Sequence, residues 1–317
     1  MSQTILTDLM PVFFGQAEAT KISAFVDANL IAFQRNVPSE LWHYTDANGL
    51  LGIIKSRAIW TTQVSCLNDR SEHRLLNALT LSGIRNFAIE NRDDRLNTLL
   101  RVAEQGLGQA DFDTAPHFVC SFTEAADDLG QWRGYGGGEN GFAIGFWTID
   151  LMAAASRRAQ SGMLPLSYDK EIHANVVRNI ISCAQNLYID GLTKPNIDPT
   201  RWAWELVTHF SERLDIFACL IKDPAFSAER EHRLLTLLNE QDYTNLEFKP
   251  KRSLLSRHLP VSLATPRHDG RLPISRICIG PSASPRISQL SVEALLRQQG
   301  YPSNVTVELS RVPYRIP

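Results

Sequence analysis

The segment 230–238 (REHRLLTLL) constrains the fold most. Successive side chains on a strand point to opposite faces. Past the charged start, both faces of this segment are apolar. Such a strand belongs in the middle of a sheet that is covered on both sides, with its charged end at the sheet's mouth. Six more segments read as strands: ELWHYT (40–45), AIWTTQVS (58–65), HFVCSF (117–122), GFAIGFW (141–147), SRICIG (275–280) and NVTVELSRV (304–312), with a shorter one at 163–168. Apolar spacing predicts helices near 15–35, 46–57, 149–160, 170–192, 199–221 and 286–299, and two or three across 69–107. The strands and helices follow no regular βαβ rhythm. The expected fold is therefore α+β, a mixed and largely antiparallel sheet with helical insertions, and not a doubly wound one.

Residues 1–38 are expected to form a helical arm and residues 39–317 a single α+β domain. A chain of 317 residues that is 44% hydrophobic can bury a large core. A formal charge of −2 leaves no overall basic field to hold nucleic acid. Seven basic residues, Lys249, Lys251, Arg252, Arg257, Arg267, Arg271 and Arg276, stand against Asp269 and predict an extended basic surface excursion. The cysteines at 66, 120, 183, 219 and 278 form no C-x-x-C, which fits a reducing, cytoplasmic setting. No apolar stretch is long enough to span a membrane.

Several short constellations carry chemistry, and each has a structural alternative. His43-Tyr44-Thr45 closes a strand before a helix, and Thr45 or Asp46 suits an N-cap. Asn68-Asp69-x-x-Glu72 has the spacing of a capping box, or of two carboxylates beside a metal. Ser121 and Thr123 share a strand face. Glu124, Asp127 and Asp128 open a short helix. Gln131-Trp132-Arg133 and Tyr135 then offer an amide, an indole, a guanidinium and a phenol, groups able to stack on a base and hold a phosphate. The Gly136-Gly137-Gly138 run that follows fits neither a P-loop nor a dinucleotide fingerprint. Glu229, Glu231 and Arg233 share a strand face by period two, as an ion pair or as working carboxylates.

Taken in order, LWHYTDANGLLGIIKSRAIW (41–60), LNDRSEHR (67–74), CSFTEAADDLGQWRGYGGGENGFAIGF (120–146), IKDPAFSAEREHRL (221–234) and ICIGPSAS…YPSNVTVELSRVPYR (277–315) resemble a bacterial family, domain-of-unknown-function family 2971. That family label carries no activity. A strand ending in His-x-Thr, then a short helix and a strand, is also similar to the opening of ADP-ribosyltransferase-like folds. This second resemblance implies NAD as the nucleotide ligand. It implies that His43, with Tyr44 and Thr45, positions the dinucleotide, and that Ser121, Thr123, Gln131, Trp132, Arg133, Tyr135 and Arg233 line the pocket. Glu231 would be the catalytic carboxylate, with Glu229 assisting an acceptor that is nucleic acid or protein, in a stress or phage-defence setting. Ser-Phe-Thr stands where the fold usually has Ser-Thr-Ser. Two other readings remain open. One is a metal-dependent hydrolase or nuclease using Asp69, Glu72, Glu124, Asp127 or Glu231 around Mg²⁺. The other is a non-catalytic nucleotide-binding or interaction module.

Overall fold

The computed structural model describes residues 16–67, 71–90, 94–109, 116–136, 141–158, 160–251, 254–282 and 284–313. Its helices are α1 (Gln16–Leu30), α2 (Ala47–Ser56), α3 (Ser71–Glu90), α4 (Asn97–Gln109), α5 (Leu129–Tyr135), α6 (Thr148–Ala155), α7 (Lys170–Leu192), α8 (Pro199–Ala218) and α9 (Pro285–Gln298). Its strands are β1 (Glu40–Thr45), β2 (Ala58–Gln63), β3 (His117–Thr123), β4 (Phe142–Trp147), β5 (Ser161–Pro165), β6 (Glu231–Leu237), β7 (Glu247–Lys251), β8 (Leu254–Ser262), β9 (Ile274–Ile279) and β10 (Thr306–Leu309). Aspartate caps recur where the chain turns into a helix. The carboxylates of Asp46, Asp128, Asp169 and Asp198 each accept a backbone N–H of the first turn, satisfying donors that have no partner inside the helix.

Two compact units divide the chain without following its order. One comprises 1–33, 70–112 and 169–221, the other 34–69, 113–168 and 222–317. The first contains α1, α3, α4, α7 and α8. Within it, the Phe25 and Phe210 rings meet at 6.2 Å and those of Phe33 and Phe217 at 6.0 Å. The indole of Trp202 is fully buried and donates to the Tyr188 carbonyl at 3.2 Å. It fits only because position 191 is glycine, since a Cβ there would lie 2.0 Å from Trp202 Nε1. Gly191→Ala improves helix propensity, yet the rigid indole has nowhere to go. The variant is expected to lose about 1–3 kcal/mol, read as a lower denaturant midpoint. An unchanged midpoint would mean that the helices slide apart without cost.

The second unit holds the sheet and is α+β, with strands that are mostly antiparallel; β10 runs parallel to β9. Along one path the strands follow β10-β9-β4-β1-β3-β2-β8-β7, while β6 pairs with both β3 and β5. β6 is the central strand expected from REHRLLTLL, and residues 231–236 are all buried. On one face, α2, α6 and α9 contribute Ile53, Ile54, Leu151, Val292 and Leu296 to a core with Leu41, Phe122, Ile144, Leu234 and Ile277. On the other, α5 sets Trp132 among Trp42, Tyr44, Ala143 and Cys278.

The expected basic excursion at 249–276 is corrected. β7 and β8 form a hairpin joined to β2, and Ser256, Leu259 and Val261 are buried. On β8 the buried residues stand among half-buried and exposed ones, while β7 is the outer strand, with Phe248 53% exposed. Arg252 lies outside the described residues.

Candidate functional site

β3 carries the site because its two edges differ. One edge pairs with β6 throughout, from His117↔Leu237 to Thr123↔Glu231. The other edge pairs with β2 at Phe118 and Val119 and with β1 at Thr123. Residues 120–122 lie between these two partners with no strand pairing on that edge. A carbonyl exposed there needs a donor. His43 supplies it, with Nδ1 lying 2.9 Å from the Ser121 carbonyl. A carbonyl only accepts, so Nδ1 carries the proton. Burial lowers the His43 pKa, against a smaller upward pull from this bond, so the ring is neutral and Nε2 is left as an acceptor. The Nε2 atom makes no hydrogen bond with a described residue.

Register then fixes the faces. Ser121 lies opposite Arg233 and Thr123 opposite Glu231, so these four side chains share one face. His43 pairs with Ile144 and packs on the Phe122 ring at 5.6 Å, which puts it on the other face. The expectation that His43 and Glu231 look into one hollow is therefore corrected. They meet through Ser121, whose carbonyl faces His43 and whose hydroxyl serves Glu231.

The Glu231 carboxylate is 4% exposed and densely held. Oε1 accepts from Ser121 Oγ at 2.6 Å and from Arg233 Nε at 2.7 Å. Oε2 accepts from Lys222 Nζ at 2.8 Å, with Arg233 Nη2 at 3.4 Å. Burial pushes its pKa up, but Arg233 and Lys222 outweigh burial and hold it at about 2. Glu231 is thus a fixed negative charge and not a proton shuttle. Glu229 does not lie on the strand as expected. It ends a 3-10 helix, Pro224–Glu229, and Arg230 follows in the left-handed region at φ 43. Its carboxylate is nonetheless brought beside Glu231, because Lys222 Nζ also donates to Glu229 Oε2 at 2.6 Å. The Glu229 carbonyl accepts from Thr123 Oγ1 at 2.7 Å.

Gln131 and Tyr135 are one helical turn apart on α5 and share a face. Burial raises the Tyr135 pKa, and the charges of Glu229, Lys222, Glu231 and Arg233 all reach its hydroxyl. Its ring is 47% exposed. Neither the Tyr135 hydroxyl nor the buried Gln131 amide has a hydrogen-bond partner among the described residues. Ser121, Thr123, Glu229, Glu231, Arg233 and Tyr135 therefore come together, with Gln131 on the same helix face.

Other candidates have structural work. Trp132 is buried with its ring 4.5 Å from that of Tyr44, and its Nε1 donates to Asp127 Oδ1 at 2.7 Å. Tyr44 donates to the Ala125 carbonyl and accepts from the Asp128 N–H. The helix cap is Asp46, while Thr45 Oγ1 lies against Gly49. Arg133 points outward. Asp127 also accepts from Ser310 and from the Arg311 N–H. Glu124 is paired with His232 and Arg35. Asn68 and Asp69 lie outside the described residues, as do the Glu72 side chain, Gly137 and Gly138. Among the described residues, no group of three or more His, Cys, Asp or Glu is arranged to hold a metal. Burial pushes the Cys120 thiol far up, which disqualifies it as a nucleophile.

The sequence reading missed Lys222 and Tyr168. Tyr168 accepts the Glu231 N–H at 3.0 Å, and burial raises its pKa to about 12, so it stays protonated. The signal for Lys222 was a lysine directly after the apolar Leu220-Ile221, within IKDPAFSAEREHRL. Tyr168 left no comparable signal.

The family model described as a protein of unknown function (DUF2971) matches residues 131–234. The family resemblance read from the sequence thus holds over a span that begins at Gln131 and closes one residue after Arg233. No curated protein and no solved structure matches the chain. Among the described residues no helix is long and apolar enough to cross a membrane.

Proposed function

We propose that this chain, in the DUF2971 family by its match over residues 131–234, is a nucleotide-handling enzyme that splits NAD and transfers ADP-ribose. The observation that carries the reading is the Ser121–Glu231 pair, a hydroxyl on β3 donating at 2.6 Å to a carboxylate on β6 that is ionised at any ordinary pH. A fixed anion cannot serve as a general acid. It can stabilise positive charge that develops on a ribose ring as nicotinamide departs, and preorganised charge of this kind is worth most where water is excluded. The half-exposed Tyr135 ring offers a stacking surface, and the Gln131 amide an unused donor and acceptor. These groups suit a nucleotide. The Cys120 thiol, pushed far up by burial, does not compete for the role.

A second reading has one observation in its favour. Both Glu231 oxygens are already engaged by protein donors. A site so fully paired can bind a nucleotide without turning it over. Thermal shift with NAD and chromatographic detection of nicotinamide separate the two. The wild type is expected to be stabilised by NAD and to release nicotinamide. Glu231→Gln should keep the stabilisation and lose release by about 100-fold or more. Stabilisation without release in the wild type selects the binding module. Absence of both removes the nucleotide reading.

A further inference from the structure

We propose that Lys222 is a positioning residue whose buried ammonium holds the Glu231 and Glu229 carboxylates together, ionised and oriented. The inference deepens the proposed function and rests on it for its catalytic meaning. Lys222 is 5% exposed, and its Nζ touches Glu229 at 2.6 Å and Glu231 at 2.8 Å. The ammonium also lies 5.3 Å from the centre of the Phe226 ring, a cation–π contact. The backbone fixes the residue from below, since the Lys222 N–H donates to the Ser167 carbonyl at 3.0 Å. Asp223 then caps the 3-10 turn that swings Glu229 back toward its own lysine. A lysine buried to this depth is not placed by chance, because an unpaired ammonium there would be strongly disfavoured.

Lys222 and Arg233 do different work on Glu231. Arg233 reaches it from two residues along the same strand and orients it locally. Lys222 comes from another segment and ties in Glu229. Without that ammonium, two carboxylates would face each other, and like charges at short range push one toward protonation. Among the described residues, the groups acting on Glu231 include Arg233 and Lys222, the phenols of Tyr168 and Tyr135, and at longer reach Cys120 and His232, with Glu229 sharing the Lys222 ammonium. Lys222 and Arg233 are the cations among them.

The test follows the Glu231 carboxyl by carbon-13 NMR titration in the full-length protein, with circular dichroism confirming the fold. In the wild type its midpoint should lie below the ordinary carboxylate range. Lys222→Gln should raise the midpoint by about 1–3 pH units, and Lys222→Arg should restore it. The acid limb of nicotinamide release should move with it. An unmoved Glu231 midpoint in folded Lys222→Gln overturns the proposal. So does a loss of release that is independent of pH and is not rescued by arginine. Should Lys222→Gln not fold, a low wild-type midpoint that arginine preserves supports the assignment, and a midpoint in the ordinary range overturns it. A midpoint that responds to Lys222 in a protein that never releases nicotinamide would sink the transferase reading and leave the positioning role standing.

Discussion

Glu231→Ala is expected to lower the unfolding free energy at neutral pH by about 3–5 kcal/mol. Removing the carboxylate takes an ion-pair partner from each of Lys222 and Arg233, two cations 5% and 3% exposed, and leaves Ser121 without its acceptor. Glu229 keeps its own bond to Lys222. The pH dependence carries a matching sign. The Glu231 pKa falls from an ordinary 4.5 to about 2 on folding. Stability from this group is therefore complete above about pH 4.5 and is lost as pH falls through about 2. That linkage is worth on the order of 3 kcal/mol. Denaturant unfolding at several pH values should show a large wild-type advantage at pH 7 that shrinks between about pH 5 and 2. A wild type and a Glu231→Ala variant of equal stability at pH 7 would mean that the buried cations find solvent by themselves.

This dependence also explains which features were legible in the sequence. EHRLLTLL reads as a central strand because no charged residue interrupts either face after Arg233, and a fully buried strand leaves that signature regardless of its neighbours. The β7–β8 hairpin has the opposite character. Lys249 and Arg257 look solvated in sequence, and only pairing with β2 shows that Ser256, Leu259 and Val261 turn inward between such residues. Period two correctly put Ser121 with Thr123. It could not relate either of them to His43, because relative face across strands depends on register, and register is a tertiary fact. Glu229 failed for a local reason, the left-handed Arg230, which starts the strand two residues later than alternation suggests. Lys222 was hidden by distance, nine positions before its partner and across a 3-10 turn. A pairing made through a turn leaves no periodic trace.

Trp132→Ala is expected to be as damaging as losing Glu231, about 3–5 kcal/mol, although sequence pattern casts Trp132 as a stacking platform for a ligand. The indole is 3% exposed and fills a slot that the backbone was shaped to leave. A Cβ on Gly280 would lie 2.8 Å from its Cε3 atom, and one on Gly136 would lie 3.3 Å from the same atom. Those glycines leave an indole-sized space that alanine cannot fill, so the cavity term adds to the lost burial. Asp127 would lose its indole donor, though Ser310 and the Arg311 N–H remain. The Tyr44 ring would lose its edge contact. Tyr135, one turn further along the same helix, makes the contrast. It is 47% exposed, so Tyr135→Ala should shift stability by no more than about 0.5 kcal/mol while abolishing thermal stabilisation by NAD. Denaturation and NAD thermal shift on the two variants side by side divide the helix into a structural residue and a ligand-facing one. If Trp132→Ala instead stayed within about 1 kcal/mol of wild type and lost only NAD stabilisation, the indole would belong to the pocket, and the packing account of α5 would have to be abandoned.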